Sequence, residues 1–236
     1  MTARLPQHAR GGCEHCPAAH HSIFVKVRSR ASDVVDTLRA ENTFATRETI
    51  PFRKGKRDGF WCVRSGYVKL SYAYAGLSRP VRICGPGDLV GYGHWHDDYR
   101  LVAEALEPVS GCFFERDRFL ALQREVPDIN DGLVKLTCRV AVQNAQRIAF
   151  LQSRSVRSRV AGLLTSLERK FGERTERGSR IPVRVDRKTL AGLSGTVVET
   201  LARTLTEFED EGWISRDGRA IHVHDSNALN ALAHEP

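Results

Sequence analysis

Apolar residues along the middle of the chain first alternate with polar residues and then recur every three or four positions. In the alternating part, four residues share one side of an extended strand: Val68, Leu70, Tyr72 and Tyr74. Glycine-rich turns separate further short apolar runs in the stretch that follows. This pattern predicts an antiparallel β-roll or barrel.

A long helix is predicted where the period changes. Pro127 and Asp128 suit its start, because proline is excluded from helix interiors and aspartate is a good N-cap. The helix that follows, of about 25 residues, has a narrow apolar stripe, which suits either an intramolecular core or a dimer seam. We expect a dimer whose register Asn144 specifies. The predicted seam residues are Leu133, Leu136, Val140, Asn144, Arg147 and Leu151.

The segment from Val185 to Asp225 has the spacing of a helix-turn-helix followed by a β-hairpin wing. Ala191 permits two helices to approach closely, Gly195 can adopt the positive φ of the turn, and Leu201 anchors the second helix. This spacing makes DNA the leading candidate partner.

Further elements complete the winged module. A helix from Val156 to Phe171 and a polar loop from Gly172 to Arg180 are predicted before it. Within the module, after its second helix, one strand leads from Gly212 to a tight turn at Asp217 and Gly218, and a second strand returns.

The outward half of the second helix is the candidate surface for reading bases. Leu201, Leu205 and Phe208 recur at helical spacing and are expected to face inward. Glu199 and Arg203 then face outward, where they suit cytosine N4 and guanine O6/N7, although an ordinary surface ion pair has the same spacing. The predicted DNA-binding residues are Thr196, Val197, Val198, Glu199, Thr200 and Arg203.

Composition changes this picture little. The chain has 236 residues, of which 41% are hydrophobic and 27% charged, as in soluble globular proteins of one or two domains. The net charge of +8 suits an anionic partner. The N-terminus has no apolar signal region and no stretch approaches a membrane span, so we expect a cytoplasmic protein. We expect no enzymatic activity, because the sequence has no nucleophile elbow, phosphate loop or zincin helix.

A second candidate site is the cysteine- and histidine-rich N-terminal arm. Cys13 and Cys16 have the spacing of thiolates that bind one soft metal centre, and His20 and His21 follow closely. Without a secretion signal, the six cysteines favour reduced thiols, metal ligation or redox chemistry over a disulfide scaffold. Three others occupy apolar strand or helix patterns and are expected to be small buried packing residues: Cys62, Cys84 and Cys138.

The order of roll, long helix and winged module resembles the cAMP receptor protein/FNR (Crp/Fnr) family of bacterial transcription regulators over nearly the whole chain. The matching motifs are VRSGYVK at 63–69, GPGDLVG at 85–91 and TVVETLAR at 196–203. The resemblance implies a homodimer on a palindromic site in double-stranded DNA, with RNA polymerase as a further partner. Val198, which the FNR branch shares, implies TTGA-like half-sites in a palindrome such as TTGAT-N4-ATCAA.

The resemblance also implies a sensor. The FNR branch holds an oxygen-labile [4Fe-4S] cluster with a Cys-x-x-Cys pair, a third nearby cysteine and a distant fourth. Cys13, Cys16 and Cys112 match three of these positions.

This chain departs from the FNR pattern at the third position. A count from Cys16 places Ser22 there, and a count from Phe24 places His21 there. We therefore expect His21 or His20 as the fourth cluster ligand. The alternatives are a zinc site, a haem, a thiol switch, or an arm that binds nothing specific.

Together these features predict an α+β chain. Its four parts are the arm (1–24), a β-roll of the cyclic-nucleotide-binding type (25–126), a dimerisation helix (127–152) and a winged helix-turn-helix (153–236). Binding of cAMP is not expected, because Arg100 is followed by Leu101 and two carboxylates lie where a phosphate would sit. The expected function is an oxygen- or redox-sensing transcription regulator. The competing class is a metal or redox protein whose winged helix contacts a protein.

Overall fold

Short strands, of which the central pair is buried along most of its length, form the roll. The structure, a computed structural model, describes residues 16, 18, 22–26, 39–96, 100–152, 155–218 and 220–234. A 3-10 helix at Ile23–Lys26 precedes the roll. The strands of the roll are β1 Arg39–Phe44, β2 Thr49–Ile50, β3 Arg53–Lys54, β4 Arg57–Ser65, β5 Val68–Tyr74, β6 Leu77–Cys84, β7 Leu89–Val90, β8 Leu101–Ala105 and β9 Val109–Glu115.

Two sheets make up the roll. One has the order β1-β9-β4-β3, with β7 also paired to β4, and the other has the order β2-β8-β5-β6. Strands β4 and β9 are antiparallel, in a register that sets Cys62 opposite Cys112. Four aromatic rings fill the core beside this pair, and they belong to Phe24, Phe60, Phe114 and Phe119. The predicted roll is therefore confirmed, and its core lies against the β4–β9 pair.

Burial in β5 differs from the predicted alternation. Val68 and Leu70 are buried, whereas Tyr72 and Tyr74, on the same side of the strand, are exposed. The core covers only the first half of the strand, and the tyrosines extend past it.

The helices follow the predicted order, with two additions. They are α1 Arg116–Glu125, α2 Asp128–Gln152, α3 Val156–Phe171, α4 Arg187–Ser194, α5 Val198–Asp210 and α6 Ser226–Ala233. The predicted long helix and the predicted helix before the winged module are confirmed as α2 and α3. Helices α1 and α6 were not predicted, since each is short and spans at most three turns. None of the helices in the described ranges has both the length and the apolar character needed to cross a membrane.

The C-terminal sheet corrects one prediction. Strands β10 Glu173–Thr175, β11 Gly178–Ile181, β12 Ile214–Asp217 and β13 Ala220–Val223 pair in the order β10-β11-β13-β12. The predicted loop from Gly172 to Arg180 therefore contains a hairpin. Its strands carry mostly exposed polar side chains, so they lack the apolar alternation that indicates a strand.

The chain divides into two compact units. One comprises residues 1–68 and 83–137, and the other comprises residues 69–82 and 138–236. The first unit holds the core of the roll, and the second holds the winged module. The four-part division proposed from the sequence stays a prediction.

Candidate DNA-binding surface and cysteine pocket

The turn between α4 and α5 has the geometry that the spacing predicts. The side chain of Asp186 caps α4 by accepting a hydrogen bond from the Thr189 amide at 2.8 Å. Gly195 ends α4 in the left-handed conformation, with φ 64° and ψ 39°. The Thr196 amide then donates to the Ala191 carbonyl at 2.9 Å, which closes the turn.

An arginine from α3 supports this turn. Arg159 donates from Nε to the Ser194 carbonyl at 3.1 Å and from its guanidinium to the Gly195 carbonyl at 3.4 Å. A cation at a helix C-terminus satisfies carbonyl groups that have no partner within the helix and is favoured by the helix dipole. The angle between α4 and α5 is thus held from outside the motif.

Helix α5 turns one face inward and the other outward. The predicted anchors Leu201, Leu205 and Phe208 are at most 2% exposed. On the outer face, Val197 is 60% exposed and the Arg203 side chain is 75% exposed. Four of the predicted DNA-binding residues lie fully on this exposed side: Val197, Val198, Glu199 and Arg203. Thr196 and Thr200 are half-buried at its edge.

Arg203 is held only loosely. Its Nε lies 3.8 Å from the carboxylate of Glu207, one turn further along α5. Glu207 accepts a 2.8 Å hydrogen bond from Arg157 of α3, which competes for the same carboxylate. An exposed ion pair at this distance contributes well under about 1 kcal/mol. The Arg203 guanidinium can therefore be redirected to a base edge at little cost.

Arg157 joins α3 to the far end of α5. Its guanidinium lies 5.2 Å from the ring centre of Phe208 and 5.8 Å from that of Trp213. It also donates two hydrogen bonds to Glu211, which is the largest cause of the raised pKa of Arg157.

The wing has the predicted form. Strands β12 and β13 pair antiparallel from Ile214–Val223 to Asp217–Ala220, and Gly218 between them has φ 61°. His224 bonds within the module, with Nε2 at 2.8 Å from the Ser215 hydroxyl.

Three exposed cations around the start of α4 were missed by the sequence reasoning: Arg184, Arg187 and Lys188. The signal was present as three cations within five positions, from Arg184 to Lys188, at the start of the motif, where the first helix of a helix-turn-helix crosses the phosphate backbone.

The long helix α2 presents two different faces. Leu133 is buried in the core of the roll, and Leu136 packs against that core. Arg147 donates to the carbonyls of Val81, Pro80 and Leu193, and burial lowers its pKa. This face, to which the seam was assigned, therefore packs largely within the chain.

A second face of α2 is apolar and exposed. Val134 is 62% exposed and Ile148 is 59% exposed. Between them, Cys138, Ala141 and Ala145 are also exposed. The expectation that Cys138 is buried was wrong, because apolar residues lie on both faces of α2 and only one face meets the core.

Three cysteines line one pocket in the roll. Cys62 and Cys112 are opposite each other on β4 and β9, so their side chains share one face of the sheet. Cys16 of the arm lines the same pocket, whose empty space including its mouth is about 330 Å³. The remaining lining residues are Ala18, Ser22, Phe24, Val63, Arg64 and Phe114. Two of the three matched cluster positions, Cys16 and Cys112, thus lie together.

Three other predicted metal ligands are not described by the structure. Cys13, His20 and His21 lie outside the described residues. Among the residues that the structure does describe, no three histidine, cysteine, aspartate or glutamate side chains form a group ready to hold a metal ion. The complete ligand set therefore stays a prediction.

Comparison with known proteins matches both halves of the chain. A family model described as a cyclic nucleotide-binding domain matches residues 41–125, and one described as a Crp-like helix-turn-helix domain matches residues 158–232. The transcriptional activator protein anr of Pseudomonas aeruginosa is 28% identical over 97% of this chain and 94% of its own length. The chain belongs to the Crp/Fnr family of transcription regulators.

Other Crp/Fnr relatives and solved structures agree. The fumarate and nitrate reduction regulatory protein of Salmonella typhimurium is 24% identical over 94% of this chain and 90% of its own length. A CooA mutant from Carboxydothermus hydrogenoformans has a TM-score of 0.73 at 19% identity, covering 90% of this chain and 95% of that chain. FixK2 from Bradyrhizobium japonicum has a TM-score of 0.71 at 19% identity, covering 84% and 98%. These structures share the fold.

The turn from Gly85 to Asp88 is closed by a hydrogen bond within the turn itself. The Asp88 carboxylate accepts a hydrogen bond from the Gly85 amide at 2.8 Å, which closes the turn at Gly87. His94, in the segment that follows, lies 3.4 Å from the Asp58 carboxylate and is half-buried among aromatic rings. Asp97 and Asp98 lie outside the described residues.

Proposed function

We propose that this Crp/Fnr-type regulator acts as a homodimer on TTGA-like half-sites. We further propose that it responds to oxygen or redox state through an iron–sulfur cluster held by cysteines of the arm and the roll. The observation that carries the proposal is the pairing of an exposed reading face on α5 with a pocket into which Cys16 and Cys112 both open. The cytoplasm as its location and RNA polymerase as a further partner belong to the same proposal.

The DNA half of the proposal depends on the outer face of α5. Glu199 can accept from cytosine N4, and the Arg203 guanidinium can donate two hydrogen bonds to guanine. The exposed methyl groups of Val198 can contact a thymine methyl but cannot donate to guanine. This combination supports a TTGA half-site.

The dimer half depends on the exposed face of α2. Five exposed residues recur at alternating spacings of four and three, as in a coiled-coil seam: Val134, Cys138, Ala141, Ala145 and Ile148. Small residues at the centre of this run would allow two copies of α2 to approach closely. We place the dimer seam on this face. Of the residues first assigned to the seam, Asn144 and Leu151 are exposed and would lie at its edge.

The sensor half depends on the pocket. Its walls are mostly apolar, and Phe24 stacks on Phe114 at 4.8 Å between ring centres. Thiols that line such a pocket suit an iron–sulfur cluster, which would supply iron that reacts with oxygen. Cys16 and Cys112 would hold it, with Cys13 and His20 or His21 as further candidates.

The arm links this pocket to α2. Ile23 lies so close to Gly132 in the first turns of α2 that a Cβ at Gly132 would approach the Ile23 carbonyl at 3.0 Å. When Cys16 is tied to the roll, Ile23 is therefore held against α2. When Cys16 is released, α2 loses that support, and the seam at its exposed face can shift. This is how we propose that the sensor changes affinity for DNA.

Replacing Arg203 with alanine tests the DNA proposal. For the palindrome TTGAT-N4-ATCAA, Arg203→Ala should weaken binding by about 1 to 3 kcal/mol and relax discrimination at the G·C pair, since the guanine loses its two donors. Quantitative gel shifts at fixed salt, with each base of the half-site varied in turn, measure this.

Lys135→Ala is the matched control, because Lys135 is an exposed cation on α2 rather than on α5. It should leave the base preference unchanged. Equal affinity of the wild type for the palindrome and for scrambled DNA would reject base reading. Binding to DNA phosphates should weaken as salt is added. If no binding to duplex DNA is detected, the result favours the alternative in which the winged helix contacts a protein.

Metal analysis of the wild type tests the sensor proposal. Full-length protein purified without air should contain iron and acid-labile sulfide and should show visible absorption that air bleaches. Stoichiometric zinc without colour would replace the cluster by a structural site, and a haem spectrum would replace it by haem. If the protein contains no metal, the arm acts as a thiol switch or binds nothing specific.

A further inference from the structure

The pocket holds one cysteine more than the resemblance accounts for. Cys62 was expected to be a packing residue, and it is indeed only 9% exposed. It nevertheless lines the same pocket as Cys16 and Cys112. Because paired residues on adjacent antiparallel strands project to the same side, the Cys62 and Cys112 side chains are direct neighbours.

Ser22 is one of the two residues that match the family's third cysteine position. Its side chain already makes a hydrogen bond within the arm. Its hydroxyl accepts a hydrogen bond from the Phe24 amide at 3.2 Å, which supports the start of the 3-10 helix. Its side chain is buried, at 8% exposure. A neutral hydroxyl is also a poor ligand for iron beside thiolates. Cys62 already lines the pocket and offers the thiolate that Ser22 lacks.

The charge around the pocket supports thiolate ligands. Arg64 lines the pocket with a side chain that is 10% exposed, and it forms an ion pair with Glu41. Metal centres bound by several thiolates carry net negative charge, and a buried guanidinium offsets part of it. The other walls, among them Phe24 and Phe114, exclude water and thereby protect bound sulfide from exchange.

We propose that Cys62 is a ligand of the iron–sulfur cluster, together with Cys16 and Cys112. The three cysteines line one pocket without already forming a metal-binding group, so binding of the cluster would have to draw their sulfurs closer together. The proposal deepens the sensor half of the proposed function and rests on it. It places two ligands on adjacent strands of the roll and one, Cys16, on the arm. The cluster is then built mainly on β4 and β9, and Cys16 is the ligand whose release frees the arm.

The test compares Cys62→Ser with Cys84→Ser in the full-length protein purified without air. Cys84 is a matched control, because it is also buried in a strand of the roll but does not line the pocket. We expect Cys84→Ser to keep the wild-type content of iron and sulfide. We expect Cys62→Ser to lose most of both and to lose the visible absorption. Equal metal content in the two variants would overturn the assignment of Cys62 while leaving the cluster in place.

Two further measurements separate ligation from folding. Cys62→Val keeps an apolar side chain of similar size, so it should fold and still lack iron. In the wild type, removal of the metal by a chelator should speed the alkylation of Cys62 and Cys112, which are both buried. Identical alkylation of Cys62 with and without metal would overturn the proposal.

The wild-type control identifies which proposal fails. If the wild type itself holds no iron, the proposed sensor fails, and the role of Cys62 fails with it. A disulfide between Cys62 and Cys112 after exposure to air would then assign the pair to a thiol switch, because facing cross-strand cysteines are within reach of each other.

Discussion

Ile148→Glu should abolish high-affinity binding to the palindrome while leaving the fold of the chain intact. Ile148 is 59% exposed in the single chain, so the substitution removes little buried apolar surface. At the proposed seam, however, it places two carboxylates opposite each other in the dimer. The loss of paired binding to two half-sites should lower affinity by about 10²- to 10⁴-fold. Analytical ultracentrifugation and gel shifts with one and two half-sites measure both effects.

Gln146→Glu is the matched control for this prediction. It adds the same charge to the same helix, but at a residue that accepts a 3.1 Å hydrogen bond from Arg169 of its own chain. It should keep the wild-type dimer. Cys138 gives a direct readout, because two copies of it would meet across the seam and a short bismaleimide should join them. A monomeric Gln146→Glu, or a dimeric Ile148→Glu with wild-type affinity, would move the seam away from this face.

The two apolar faces of α2 show what periodicity can and cannot determine. The length and start of α2 followed from proline, aspartate and the apolar spacing. The direction of its apolar stripe did not, because Leu133 and Leu136 occupy one face and Val134 and Ile148 occupy another. A pattern of apolar residues does not distinguish a face that packs in the core of its own chain from a face that packs against a second copy of the chain. Burial of Leu133 in the core of the roll assigns one face of α2 to the interior of the chain, and the seam on the exposed face stays a proposal.

The winged module was predictable in more detail because its constraints are local. Gly195 must adopt a positive φ at the turn, and the spacing of Leu201, Leu205 and Phe208 determines which side of α5 is buried. Each of these constraints acts within one or two helical turns. The supporting contact from Arg159 was not predictable, because it reaches across many residues of intervening chain.

The cysteine pocket marks the opposite limit. Cys62 and Cys112 are neighbours only because β4 pairs with β9, and the register of two distant strands is set by turns and by the whole core. From the local pattern alone, Cys62 has the properties of any small buried residue. Cys62 is recognised as a candidate ligand only when its pairing with Cys112 on β9 and the presence of Cys16 in the same pocket are known.

Phe208→Ala should strongly destabilise the winged module without disturbing the roll. Phe208 is fully buried, and its ring stacks on Trp213 at 5.3 Å between centres, with the Arg157 guanidinium 5.2 Å from its own ring centre. Removing the ring leaves a cavity and also takes away the surface on which Arg157 rests. Large-to-small changes of this kind cost about 3 to 5 kcal/mol. DNA binding should be lost because α5 no longer has a fixed position.

Native-state hydrogen exchange measures this effect in each unit separately. In Phe208→Ala, the amides of α4 and α5 should exchange faster by a factor of about 10² or more, since each 1.4 kcal/mol is a factor of ten in an opening equilibrium. The amides of β4 and β9 should keep their wild-type rates. Phe171→Ala is the control, because it makes the same chemical change at a half-buried position of α3 and should cost distinctly less. Equal protection of α5 in the two variants would show that Phe208 does not anchor the recognition helix.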